Sequence, residues 1–165
     1  MLDMMVNRRA LISGAMAMGF GVSPARAKSS EIYMGGGGVF SRGWSHAVDG
    51  HDVVAYFDLT EGDKPTEGQG QFSTEYMGVS WLFASEENLE KFITDPERCR
   101  PQFGGYCAWA IARGKRARGA PEVWYVYGAK LYLNVSPRYQ REWLEDIDGD
   151  MARAEANWPG ILGYA

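Results

Sequence analysis

Apolar residues along this chain fall into short runs of two kinds, some with strand-like patterning and some spaced for one face of a helix. Residues 71–76 and 79–83 are β-prone runs joined by Met77-Gly78, a two-residue connection with glycine second, and predict a hairpin. Ser85 is placed as the N-cap of a helix running to Asp95, with Leu89, Phe92 and Ile93 on one face and Pro96 as its stop. Residues 123–127 and 131–135, separated by Gly128-Ala129-Lys130, predict a second hairpin. Between the hairpins, Gly104-Gly105 opens an almost wholly apolar segment that closes at Gly114 and predicts a buried helix over 106–113. Ser136-Pro137 has the cap-then-proline order of a helix start, with Tyr139, Trp143 and Leu144 facing inward; a last short helix is expected over 150–157, closed by Trp158-Pro159. Upstream, the apolar run 53–57 follows a turn at Asp49-Gly50 and predicts a buried strand. Together these predict an α+β fold: a single small domain in which an antiparallel sheet of hairpins is covered by short helices. Its core should hold Phe57, Trp81, Phe83, Phe92, Ile111, Trp124 and Leu131.

The first residues stand apart from that pattern. Asn7-Arg8-Arg9 precedes a weakly apolar stretch at 10–22, and Ala25-Arg26-Ala27 has the small-x-small form of a cleavage site, so 1–27 reads as a twin-arginine-type signal peptide. A periplasmic location is then expected, reached by the twin-arginine route, which carries folded proteins. Residues 28–43 include Gly35 to Gly38 and no periodicity, and predict a flexible lead-in; the domain is expected over 44–165, with a surface loop at 60–70. A chain of 165 residues with 45% hydrophobic and 13% aromatic content can fill one core, and no apolar run in the mature chain is long enough to span a membrane. The formal charge of −4 becomes −6 once Asp3, Arg8, Arg9 and Arg26 leave with the signal peptide, which argues against nucleic acid as a partner. The basic cluster Arg113, Lys115, Arg116 and Arg118 is then a solvated loop. Asp146-Ile147-Asp148-Gly149-Asp150 hints at a calcium loop, but its glycine is misplaced and its twelfth position is Asn157, not glutamate.

The chemistry the chain offers is sparse. Cys107 falls at the start of the predicted helix, where unpaired N–H groups and the helix dipole favour a thiolate with a depressed pKa; the plainer reading is a small buried hydrophobe. In an oxidising compartment Cys99 and Cys107 could instead form a disulfide. His46 and His51 flank the Asp49-Gly50 turn and Met77 sits between the first two strands, so thiolate, imidazole and thioether, the donor set that selects Cu(I), are all present. Gly104, Gly105 and Tyr106 offer backbone N–H groups that can hold a small anion. No phosphate loop, nucleophile elbow or paired-carboxylate signature occurs, and a thiol enzyme would need His46 or His51 as its base.

Five linked motifs, Gly50-His51-Asp52-Val53-Val54-Ala55-Tyr56-Phe57, Tyr76-x-Gly78-x-x-Trp81-x-Phe83-Ala84-Ser85, Phe92-x-x-x-Pro96, Gly104-Gly105-Tyr106-Cys107-Ala108 and Gly128-x-Lys130-Leu131-Tyr132-Leu133-Asn134, resemble the exported bacterial YHS domain-containing proteins. The resemblance covers residues 47–158. It implies an association with metal handling, although the thiolate positions of the wider YHS and TRASH superfamily correspond here to Ala55, Ala84 and Asn88. The exported subfamily has tyrosines where this chain has His51 and Cys99, so Cys107 does not depend on a Cys99 partner there, and free thiols are expected. The expected function is a non-catalytic periplasmic metal-binding protein, copper-related, with Cys107, His51, His46 and Met77 as ligands. The alternatives are a cofactor-free interaction or small-ligand-binding module using Gly104, Gly105 and Tyr106, working with a periplasmic protein partner or a small ligand, or a thiol-dependent enzyme.

Overall fold

Two tight hairpins carry the fold in the computed structural model, which describes residues 31–34 and 45–163. Strands β1 (Gln69–Tyr76) and β2 (Val79–Phe83) pair antiparallel through Met77 and Gly78, whose φ values of 54° and 72° give the turn the hand that matches strand twist. Strands β3 (Ala120–Tyr127) and β4 (Lys130–Asn134) do the same through Gly128 and Ala129, at 56° and 58°. Lys130 therefore belongs to β4, and the connection is one residue shorter than the sequence pattern implies. The hairpins form two separate two-stranded sheets. Short helices pack on them: α1 (Glu86–Thr94), α2 (Pro96–Cys99), α3 (Ala108–Ala112), α4 (Pro137–Leu144) and α5 (Ile147–Asn157). The chain is thus a small single-domain α+β protein. Trp81, Phe83, Phe92, Ile111, Trp124 and Leu131 are buried as expected, whereas Phe57 is only partly so.

Three expectations are corrected. Residues 53–57 are not a strand but a turn followed by a 3-10 turn, Ala55–Asp58, because the Asp52 carboxylate accepts from Val54 N (2.9 Å) and Ala55 N (3.2 Å) and curls the backbone around itself. The last helix begins at Ile147: Asp146 caps it by accepting from Gly149 N, so the acidic run read against a calcium loop is a helix start. Finally, residues 31–34 fall inside the expected flexible lead-in yet are packed, with Ile32 only 1% exposed and Tyr33 N donating to Gly104 O at 2.8 Å. The rest of that lead-in, the signal peptide at 1–27 and the expected domain start at Trp44 lie outside the described residues.

The two hairpins head two halves built to one plan. Each half opens on a turn with left-handed residues, Val48-Asp49-Gly50 in the first and Phe103-Gly104-Gly105 in the second. Each turn then pairs with the lead into the first strand of its hairpin. Gly68 N donates to Gly50 O and Asp52 N to Thr66 O; Gly119 N donates to Gly105 O and Cys107 N to Ala117 O. The bridges His51 to Glu67 and Tyr106 to Arg118 complete the match. Both hairpins carry an irregularity at the same register, and a Cβ on Gly68 or Gly119 would lie 2.5 Å from the Cβ of Leu82 or Leu133. The cores match too, with Trp81 against Phe92 at 5.0 Å and Tyr132 against Trp143 at 5.2 Å. In this superposition of plans, Asp52 corresponds to Cys107.

Asp52 is fully buried and its second oxygen accepts from Ala84 N at 2.8 Å and from Asn88 Nδ2 at 2.7 Å. Four donors from three segments thus converge on one carboxylate. Asp52→Ala leaves them without an acceptor, and the expected loss is ~3–5 kcal/mol, against ~1.5–3 kcal/mol for Asn88→Ala, which removes one charge-assisted bond; urea unfolding of both variants checks the order. Gly104→Ala should release residues 31–34, because its Cβ would sit on Glu31 O at a φ of 60°. Faster hydrogen exchange at the Tyr33 amide, with the hairpin amides unchanged, is the expected reading.

Candidate functional site

Cys107 is the N-cap of α3 and is completely buried. Its S–H donates to Asn134 Oδ1 at 3.6 Å, and the same oxygen accepts from Trp109 N at 3.2 Å. The backbone amides of Ala110, Val135 and Trp109 face the sulfur. These are the counterparts, in the second half, of Ala55, Ala84 and Val54 around Asp52. Asn134 itself is fully buried, and its Nδ2 has no hydrogen-bond partner. The outer side of α3 carries an aromatic and cationic stack, with Arg113 over the Trp109 ring at 4.3 Å and Trp109 against Tyr139 at 4.3 Å.

The expectation of a depressed thiol pKa does not hold. Burial pushes the Cys107 thiol up, and the three facing amides and the Arg113 charge offset this only in part. The short α3 brings few dipoles to bear, and the hydrophobic surroundings remove the water that would solvate a thiolate. Cys99 is buried and its thiol is likewise raised by burial; neither cysteine is bonded to the other.

The other expected ligands stand elsewhere. His51 Nδ1 lies 3.0 Å from Val48 O and its backbone bridges Glu67. His46 flanks the same turn with Nδ1 buried and unpartnered, next to Gly50, whose own neighbour is Leu82 of β2. Met77 is 40% exposed in the β1–β2 turn. Among the described residues, no group of three or more His, Cys, Asp or Glu side chains converges where a metal ion could sit. Gly104 and Gly105, offered as an anion cradle, face the chain's own backbone: Glu31 O occupies the space beside Gly104, and Gly105 O accepts from Gly119 N. Tyr106 packs edge-on against Tyr33 and near Trp158.

What the sequence did not reveal is an open groove of about 520 Å³ in the first half. Val54, Phe57 and Cys99 are the apolar members of its lining, and Asp58, Glu87, Glu90, Lys91, Asp95 and Arg98 bring charge of both signs. The plan of the two halves explains its presence. In the second half the corresponding space is taken by α5, which packs along α3 and is fixed there by Arg113 on the buried Asp150 (3.0 Å) and by Asn157 Nδ2 on Ile111 O (2.8 Å). In the first half the corresponding helix, α2, stops at Cys99 after a single turn. Phe57 is therefore half-open instead of buried, and only the comparison of the two halves, not periodicity, could have signalled it.

Compared with known protein families, curated proteins and solved structures, the chain matches none. No helix among the described residues is long and apolar enough to cross a membrane.

The raised thiols fix the sign of a pH effect. A thiol that ionises later in the folded chain than in the unfolded chain lends stability that is complete below its ordinary value of about 9 and is lost as the pH climbs past it towards the folded value. Tyr132, pushed up to about 12 by burial, extends the loss to higher pH. Urea midpoints should fall from about pH 9 upwards, and less steeply for Cys107→Ala than for the parent chain.

Proposed function

We propose that this chain is a periplasmic, non-catalytic binding module of YHS type whose binding face is the groove between the 3-10 turn Ala55–Asp58 and helices α1 and α2. The observation that supports this is the groove itself: a concavity of about 520 Å³, with apolar and charged lining, at the place the protein's own helix fills in the other half. That size and lining suit a small organic ligand with an apolar part. Buried floor residues supply the hydrophobic contact and the exposed rim supplies orientation. A copper-related role is the second reading. It is favoured by the amides that face the Cys107 sulfur and would support a thiolate, and it requires the thiol to lose its proton against the cost of burial.

One set of measurements on the full, isotope-labelled chain distinguishes the two. Titration with indole, phenol, phenethylamine and phenylacetate should shift the amide signals of Val54, Phe57, Lys91 and Cys99 for at least one compound, and Phe57→Ala should weaken that response by about tenfold, the loss of one buried aromatic contact. Cu(I), delivered from a chromophoric chelator, should be held equally by the parent chain, Cys107→Ser and His51→Ala. A groove silent to all four compounds, together with one equivalent of Cu(I) lost in Cys107→Ser, would overturn the module reading in favour of copper.

A further inference from the structure

The two halves put an aspartate and a cysteine in one structural position, and three equivalent backbone amides face each. Asp52 accepts from three backbone amides, Val54, Ala55 and Ala84, and from one side-chain amide, Asn88 Nδ2. Cys107 is faced by the three corresponding amides, Trp109, Ala110 and Val135. A side-chain amide lies beside the sulfur as well, but it turns its acceptor inward: Asn134 Oδ1 lies 3.6 Å from the sulfur and accepts from Trp109 N at 3.2 Å, while its buried Nδ2 has no partner. In the position of Asn88 the second half has Tyr139, which is stacked on Trp109. A neutral thiol is a weak acceptor, so a hollow with donors for a carboxylate is occupied by a group that satisfies them poorly, and Trp109 N donates to Asn134 Oδ1 instead.

We propose that Cys107 is an oxidation site, converted by a peroxide to its sulfinate, which this hollow holds as the first half holds the Asp52 carboxylate. The sulfinate side chain, CH2–SO2−, has the connectivity and charge of CH2–CO2− with sulfur in place of carbon. The first step transfers one peroxide oxygen to sulfur: the O–O bond breaks, an S–O bond forms, and the thiol proton leaves with the departing oxygen as water, giving the sulfenic acid. A second peroxide repeats the transfer, and the resulting sulfinic acid releases its proton to solvent. Sulfur is oxidised by two electrons in each step, and each peroxide is reduced to water. The complete burial of the sulfur makes the first step slow and dependent on local opening. The hollow acts on the product, whose two oxygens accept from the facing amides, Trp109 N included, once the Asn134 amide turns over and brings its unpartnered Nδ2 to them in place of Oδ1. The modification then tightens the second half instead of unfolding it.

The test uses the full chain and two independent routes. Cys107→Asp installs the carboxylate directly; its thermal midpoint should equal or exceed that of the parent, and Asn134→Leu in the same background should remove the gain. A buried aspartate without prepared donors is strongly destabilising, so a Cys107→Asp midpoint below that of Cys107→Ala overturns the proposal. If the variants fold poorly, the second route decides. The parent chain is held in excess hydrogen peroxide and peptides are mapped by mass, with peroxide-treated Cys107→Ala reporting the effect of methionine oxidation. Gain of two oxygens on Cys107, with a midpoint above that of the treated control relative to their untreated forms, is expected. No oxygen on Cys107, three oxygens, or a midpoint lowered by the modification would overturn it.

Discussion

A buried carboxylate is the constraint on which the first half of this protein depends. Asp52 has no contact with solvent, and a charge in that position is tolerable only if donors replace the water it has lost. They come from the turn after it, from the end of β2 and from the first turn of α1, so a single side chain fixes how hairpin and helix meet. The same demand bends residues 53–58 out of the strand that their apolar run would otherwise form. The second half keeps the three backbone donors but not the side-chain one, and places the uncharged Cys107 among them, with Asn134 supplying the polar contact across to β4. The first junction is held by charge-assisted bonds and the second by packing and weaker bonds.

Beyond their matched cores the halves diverge. Asp95 and Asp146 are equivalent caps, each accepting from the backbone three residues on, yet the helix after Asp95 is one turn and the helix after Asp146 runs to Asn157. The extra length lets α5 lie along α3, where Asp150, buried and held by Arg113 and Arg153, joins the two. The short α2 leaves its half open, and the groove results. A duplicated plan thus yields one closed half and one that can receive something else.

The environment of Cys107 shows how two local effects compete. Facing amides favour charge on sulfur, and removal of water disfavours it; at a short, completely buried helix start bridged to Leu133 of β4 the second effect is larger. The same amides that fail to ionise the thiol can serve oxygens added to the sulfur, because a sulfinic acid is intrinsically far more acidic than a thiol and stays ionised against that penalty when donors replace its water. A quiet thiol and a prepared anion site are therefore compatible.

Much of the local structure was legible in the residues themselves. Ser85 and Ser136 mark helix starts, Met77-Gly78 marks a tight turn, Gly128-Ala129-Lys130 marks a second to within one residue, and Trp81, Phe92 and Leu131 mark the core, because backbone propensity and burial act over a few neighbours. The kinship of the halves was also written there, in Gly50-His51-Asp52 against Gly105-Tyr106-Cys107 and in Ala84-Ser85 against Val135-Ser136, but the side chains differ so much that only the shared hydrogen bonds make it plain. The candidate site was less legible. Cys107, His51, His46 and Met77 share a donor chemistry but no common location, since nothing in their spacing says which segments meet, and Asp52, Asn134 and the groove acquire their roles from contacts across the chain. Sequence by itself determined most of the elements and their order, through short-range sterics and the pattern of burial. Tertiary structure alone decided that the thiol is protonated, that the glycine turn is filled by residues 31–34 and that one half stays open, because each depends on what distant residues exclude: water, a ligand, or another helix.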